Sequence, residues 1–387
     1  MDGWTGRLLR VDLSQGSARV EDWSEAQIKR FIGGRSLALR LLGEEVDPTT
    51  DPLGAENKLV LAAGPLTGTG AVCGSVLVVA AKSPATGGFC CGLVKGHFGA
   101  ELKQAGFDAV VLEGRSRFPV YLSIADGQFR LLPALRMWGR DTQQTEAIVR
   151  SEIKDTWKAR ATMVLSIGAA GERMSRVATL VNEDYLTQGG PGLGAVMGSK
   201  NLKAVAVRGS RGVSVARGSS FIDAVSRLIN RLNSAPPTGD GLPEFGSPLI
   251  LDGLAAHGAL AVRNHSGGSA KLLRAGDFAA HYKFSRSCFG CPIGCKQFGE
   301  IKEGPLACQG KAPEADAAAA FGANCGVSDV AAVFMANRLC TMHGLDAVSA
   351  GGVLACAMEL NAQGLLDGPD APSFGDAASL VAALEAL

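Results

Sequence analysis

Two rhythms of apolar residues run along this chain, and they change over near residue 210. Before that point, short apolar runs of strand length alternate with glycine and proline. "NKLVLAAGPLTGTG" ends in Gly/Thr turn chemistry, and "SVLVVAAKSPATGG" stops at Ser83-Pro84. "DAVVLEG", "ATMVLSIGAAGE", "RVATLVNED" and "KAVAVRG" repeat the form. "VYLSIADGQFRLL" sets Asp126-Gly127 between alternating apolar positions, the signal of a two-residue hairpin. Helical spacing interrupts the runs around 25–43, at 98–105 and at 141–153. This pattern predicts two layers of β-structure with a few helices, not a βαβ alternation.

Beyond residue 210 the period lengthens. "SFIDAVSRLINRLNS" has helical spacing and stops at Pro236-Pro237. "PEADAAAAFGANCG", "VSDVAAVFMANRLCTMHG" and "DAVSAGGVLACAMELNAQG" are alanine-rich helical segments separated by glycine. The expected fold class is therefore α+β: an N-terminal two-layer β-sheet domain over 1–210, then a mainly α-helical domain over 211–387. The last residues, "LVAALEAL", read as an apolar helix with neither cap nor polar tail, and so as a chain cut short.

Composition narrows the function classes. The 387 residues suggest two or three domains, with 47% hydrophobic and 19% charged residues. A formal net charge of +1 gives no reason to invoke nucleic acid or an anionic membrane. No stretch reaches the roughly 18 uncharged apolar residues of a membrane span. The start, "MDGWTGRLLRVDLSQG", has no apolar run of a secretory signal. Ten cysteines in such a chain read as buried thiols plus a metal or catalytic set in a reducing compartment, hence a cytoplasmic protein.

The densest chemistry is "SCFGCPIGCK", Ser287–Lys296, with Cys288, Cys291 and Cys295 at spacing C-x2-C-x3-C. Thiolates so crowded bind iron–sulfur clusters or zinc, each needing about four ligands. Three readings stand: a [4Fe-4S] cluster, a zinc site completed by Cys308 or His281, or three cysteines with no metal. By spacing, Cys308, Cys325, Cys340 and Cys356 fit core thiols better than a fourth ligand.

Several segments resemble the aldehyde ferredoxin oxidoreductase family, the tungsten- or molybdenum-pterin enzymes. They are "FIGGRSLALRLL", "DPLGAENKLVLAAGPLTGTG", "KSPATGG", "FGAELKQAGFDAVVLEG", "GPGLGAVMGSKNLKAVAVRG", "SCFGCPIGCK", "AFGANCGVSD" and "RLCTMHGLDAVSAG", in order from residue 31 to about 365. The resemblance implies that Cys288, Cys291 and Cys295 ligate a [4Fe-4S] cluster, with the fourth ligand in a last helical domain beyond residue 387. Family members being longer, it also implies that this C-terminal helical domain is absent. A tungsten or molybdenum bis-pterin (molybdopterin type) would lie beside the cluster. Glycines such as Gly192 and Gly194 in "GGPGLGAVMGSK" would let backbone N–H groups approach its phosphate. Leu345 and Asp346 match the motif whose carboxylate binds the pterin's amine face. Asp316 matches a carboxylate near the metal.

The implied reaction is oxidation of an aldehyde to a carboxylic acid, with electrons passed to a ferredoxin-like carrier. A homodimer or a partner subunit is compatible with it. The sequence departs from the family at the pterin contacts. Val76 stands where an arginine is usual, Leu93 and Lys95 replace small or amide residues, Gly190 takes another arginine position, and Thr341 opens the motif that ends at Asp346. Lys95 could serve phosphate by a different route, and His97 beside it is a proton-donor candidate. These departures keep two rivals open: a cluster-carrying electron-transfer or scaffold protein without pterin, and a divergent member acting on another carbonyl compound or an aromatic thioester.

Overall fold

The apolar runs of the first two hundred residues form two six-stranded sheets in a computed structural model that describes residues 1–267, 272–366, 368 and 371–387. The first sheet uses β1 (Arg7–Asp12), β2 (Ser17–Asp22), β3 (Leu59–Ala62), β4 (Leu77–Lys82), β5 (Phe89–Val94) and β6 (Ala109–Glu113), in the order β2-β1-β6-β3-β4-β5. The second uses β7 (Val120–Ala125), β8 (Gln128–Pro133), β9 (Met163–Ser166), β10 (Val181–Asn182), β11 (Tyr185–Leu186) and β12 (Leu202–Arg208), in the order β11-β10-β9-β12-β7-β8. Pairing is antiparallel except between β1 and β6 and between β7 and β12. The β7–β8 hairpin turns at Asp126 and Gly127, whose φ values of 49° and 87° are the two left-handed residues of a type I′ turn.

Strand alternation decides the layers. Leu9, Val11, Leu61 and Val79 of the first sheet share one buried cluster with Leu122, Ile124, Leu165 and Val205 of the second. The alternate residues Leu8, Val60, Ala62 and Val111 point the other way, onto Leu37, Ala38, Leu41 and Leu42 of the helix Gly34–Glu45. On the second sheet, Tyr121, Val164, Ala204 and Ala206 meet Val149 of the helix Thr142–Ser151. The architecture is thus helix, sheet, sheet, helix: two β layers with helices over their outer faces. The runs of β3 and β4 carry no polar alternation because both faces of the first sheet are covered.

The chain divides into two compact units. One is Met1–Leu228 with Cys288–Cys291 and Met342–Asp346; the other is Ile229–Ser287, Pro292–Thr341 and Ala347–Leu387. The second unit is not helices alone. It holds a three-stranded antiparallel sheet of β13 (Tyr282–Arg286), β14 (Lys296–Ile301) and β15 (Cys308–Lys311). Its helices Val330–His343 and Ala347–Ala362 bury Phe334, Leu339, Leu354 and Met358. In the helix Ala377–Ala386, Asp376 caps the N-terminus through the N–H groups of Ala378 and Ser379, and Leu380 and Leu384 are buried. Among the described residues no helix is long and apolar enough to cross a membrane.

Candidate functional site

The thiol stretch is the connection between β13 and β14, so a hairpin displays it. Within it, the Cys291 N–H donates to the Cys288 carbonyl at 3.0 Å, closing a tight turn. The turn that follows β5 grips it twice. The Gly96 N–H donates to Cys288 Sγ at 3.3 Å, and the Gly96 carbonyl accepts from the Phe289 N–H at 3.2 Å. Backbone N–H groups that donate to cysteine sulfur tune thiolate-bound clusters. A third thiol approaches from the loop before β4: Cys73 Sγ lies 3.6 Å from Cys291 Sγ.

None of the ten cysteines is in a disulfide. Burial pushes the Cys90 thiol up to about 11 and the Cys325 thiol up to about 12, and raises Cys91 and Cys308 as well. These four are held in the thiol form at neutral pH, which is the form that does not bind metal. Among the described residues, no three His, Cys, Asp or Glu side chains stand together as a ready-made metal site. The donor chemistry of Cys288 and Cys291, half-buried, with an N–H bond to sulfur and a tight turn between them, fits a thiolate-bound cluster.

Lys95 precedes the gripping residue and is half-buried, with its carbonyl accepting from Asn182 Nδ2 at 2.8 Å. His97 follows it. Glu183 holds His97 at two points: Oε2 accepts the backbone N–H at 2.6 Å and Oε1 lies 2.8 Å from Nδ1. The His97 ring meets Phe289 edge-on at 6.4 Å.

Four other sequence-predicted residues gather around the segment Arg176–Thr179. Leu345 is buried and bridges Ala178, and the Asp346 N–H donates to the Val177 carbonyl at 2.8 Å. Gly194 lies so close that a Cβ there would stand 2.5 Å from the Thr179 carbonyl oxygen. Gly192, with φ of 80°, would place a Cβ 2.7 Å from the Pro84 ring. These two glycines are therefore required by chain contact, and the helix they lead into, Leu193–Ser199, has only seven residues. Two buried polar atoms near this region, Asn182 Oδ1 and Thr187 Oγ1, have no hydrogen-bond partner among the described residues, an unmet demand that a polar group from outside the chain would satisfy.

In the second unit, Asp316 is exposed on the first turn of the helix Ala315–Ala318. Sequence reasoning passed over its neighbour Glu314, the N-cap position of that helix. Glu314 Oε1 takes ion pairs from two buried lysines, Lys296 at 2.5 Å and Lys311 at 3.4 Å. Burial pushes the Lys311 ammonium down to about 8, against the opposing pull of Glu314. Cys295 belongs to this unit and exerts the same stabilising pull on the Lys311 charge. The signal for Glu314 was the repeated lysine and glutamate across β14, β15 and the helix start, a pattern without meaning until those strands pair.

The family model for "Aldehyde ferredoxin oxidoreductase, N-terminal domain" matches residues 8–209, and that for "domains 2 & 3" of the same family matches residues 223–387. The chain belongs to the aldehyde ferredoxin oxidoreductase family. The tungsten-containing aldehyde ferredoxin oxidoreductases of Pyrococcus furiosus and Thermococcus kodakarensis are each 41% identical to it over 381 residues, covering 97% of this chain and 62% of theirs. The active-site complex BamBC of benzoyl coenzyme A reductase, solved with 1,5-dienoyl-CoA, superposes with a TM-score of 0.85 at 26% identity, over 99% of this chain and 59% of that one. This aldehyde ferredoxin oxidoreductase family chain thus spans about 62% of the length of the curated relatives it matches. The match to domains 2 and 3 over 223–387 overturns the expectation that the family's C-terminal helical domain is absent.

Proposed function

We propose that this chain carries the iron–sulfur thiols and pterin-side contacts of a tungsten- or molybdenum-pterin oxidoreductase that converts an aldehyde to a carboxylic acid and passes electrons to a ferredoxin-like carrier. The observation that carries the reading is the Cys288–Cys291 turn gripped through sulfur and backbone by Gly96, in a member of this family. Cys288, Cys291 and, by sequence spacing, Cys295 hold a [4Fe-4S] cluster. Gly96 tunes its potential through the N–H bond to Cys288, since each donated bond stabilises the more reduced, more negative state. Lys95 supplies positive charge to the pterin phosphate, and Gly192, Gly194, Leu345 and Asp346 shape the wall around residues 176–179. When bound, the metal–pterin group supplies the two-electron chemistry.

Oxidation of the aldehyde takes its oxygen from water and releases two electrons and two protons, one of which goes to a carboxylate at the start of the helix Ala315–Ala318. Asp316 takes this role by the sequence match, while Glu314 is fixed by Lys296 and Lys311. His97, oriented by Glu183, is a relay group on the first unit. Ten cysteines with none in a disulfide suit a cytoplasmic setting. The substrate is a small aldehyde rather than nucleic acid, and a homodimer or partner subunit is compatible with the reading.

A second reading has one observation in its favour. Gly192 and Gly194 are consumed by contact with Pro84 and Thr179, and Val76 and Leu93 offer no charge. That favours a cluster-carrying electron-transfer protein without pterin. Elemental analysis of protein purified without oxygen separates the two. Iron with about one tungsten or molybdenum per chain supports the oxidoreductase, iron alone supports the second reading, and zinc alone refutes both.

A further inference from the structure

We propose that the outer face of the second sheet carries a binding cavity for a small organic anion, with Arg136 and Arg140 holding its carboxylate or phosphate head. The cavity has a volume of about 430 Å³ and lies between the turn after β8 and the helix Thr142–Ser151. That volume is in the range of small-molecule sites. Arg136 and Arg140 come from the turn, while Gln144, Ile148 and Ser151 come from one face of the helix. Glu152 closes the far end, about 12 Å from Gln144 along the helix axis. The thiol turn is gripped by Gly96, beyond the end of β5 in the other sheet, so the cavity is a separate site. The inference therefore needs neither the cluster nor the pterin.

Among the described residues, neither guanidinium makes a hydrogen bond or an ion pair, although both line the same cavity. A guanidinium matches carboxylate and phosphate oxygens by forked N–H donation, so two without partners on one wall point to such a head. The turn that carries them is fixed from below. Ala134 and Met137 are buried in one cluster with Tyr121 and Val149. The Trp138 N–H donates to the Ala134 carbonyl at 3.0 Å, and the Gly139 N–H donates to the Glu172 carboxylate at 2.8 Å. Lys203 Nζ donates to the Arg140 carbonyl at 2.8 Å. The backbone is thus set before a ligand arrives, and only side-chain rotamers are left to order. Half-buried Ile148 supplies an apolar wall for the body of the ligand. Tyr121 Oη donates to the Glu152 carboxylate at 2.5 Å and holds it in place. An anionic head is therefore turned away from Glu152 and toward the arginines, while a hydroxyl or amine at the other end of the ligand meets an acceptor.

Binding is read on the full chain by isothermal titration at low salt and pH 7, with benzoate, phenyl phosphate and inorganic phosphate as probes. Phenylglyoxal modification, mapped by mass spectrometry with and without probe, locates the site. Wild type is compared with the double variant Arg136→Gln/Arg140→Gln and with Arg160→Gln, an exposed arginine outside the cavity. Both cavity arginines are exposed and their side chains have no partner to lose, so the circular dichroism of the double variant should match wild type. The expected result is a dissociation constant of about 1 mM for benzoate or phenyl phosphate, weakened about tenfold or more in the double variant and unchanged in Arg160→Gln. The bound probe should protect Arg136 and Arg140 from phenylglyoxal. The tighter of the two aromatic anions identifies the head group, and inorganic phosphate, with no body to rest on Ile148, should bind about tenfold more weakly than it. Neither aromatic anion binding below about 10 mM, or equal binding in the double variant, overturns the inference. Inorganic phosphate bound as tightly as the better aromatic anion overturns the organic ligand.

Discussion

Two glycine-rich stretches look alike in sequence, the run "GGPGLGAVMGSK" and the thiol loop "SCFGCPIGCK", yet the fold uses them differently. In the first, Gly192, Gly194 and Gly198 are pressed against Pro84, Thr179 and Gly171, and every residue from Leu193 to Ser199 is buried. In the second, Gly290 and Gly294 take left-handed turns, Gly290 stays exposed, and the cysteines beside them are half-buried. The first stretch also turns left-handed, at Gly189, Gly190 and Gly192, but there Gly192, Gly194 and Gly198 serve close contact, whereas in the second the glycines serve an exposed chain reversal. Contact glycines hold a scaffold in register, while turn glycines present side chains, so chemistry is expected on the second stretch.

The sharpest way to break this contrast is Gly198→Ala. Its Cβ would land on the backbone carbonyl of Gly171, an atom that no rotamer can move. The expected loss is about 3 kcal/mol or more, read as a fall in urea midpoint or as failure to accumulate soluble protein. Alanine tolerated at 198 would show that the stretch is not a contact surface. Next, Cys288→Ser should keep the fold, because the half-buried site accepts a hydroxyl and Gly96 can donate to oxygen. Iron should fall from about four per chain to less than about one, measured with sulfide and circular dichroism together. Gly290→Ala should cost about 1 kcal/mol for the left-handed turn, with partial iron loss from the shifted loop.

The smallest effect lies at the end of β15, where Lys311 pairs with Phe298 of β14. Lys311 has its ammonium held down near 8 by burial, against an ordinary value of 10.5. Below about pH 8 folded and unfolded chains both hold this proton, so it gives no slope. Between about pH 8 and 10.5 the unfolded chain keeps a proton that the folded one has released, so stability rises with pH through that window. Lys200, also held near 8 by burial, acts in the same direction. Lys311→Met should reduce the slope of unfolding free energy against pH by one proton's worth between pH 8 and 10, and an unchanged slope would refute the assignment.

What was legible in the sequence follows the range of the forces involved. The β7–β8 hairpin at Asp126-Gly127 was visible because turn chemistry is local, and the helix starting near residue 141 was visible because Asp141 caps it through Gln144. The single helix expected over 25–43 breaks at Ile32, whose φ is 55°, because Gly33 must let the chain pass Trp4 and Ala63. The strands β13–β15 were missed: "YKFSR" and "CQGK" are short and polar, and they become a sheet only by pairing with β14. At the site, Cys288 and Cys291 were readable from spacing. Cys73, Glu183 and Glu314 were not, since each acquires its partner across tens to hundreds of residues or across a strand pair that no local pattern announces.

The measurement that bears most directly on the central claim is low-temperature electron paramagnetic resonance of the anaerobically purified chain, with and without dithionite, alongside an iron and sulfide count. The account predicts about four irons and four sulfides per chain and a signal that develops only on reduction, as a [4Fe-4S] cluster held by Cys288, Cys291 and their partners requires. Protein that contains zinc instead, or that is silent in both states and free of labile sulfide, would contradict it.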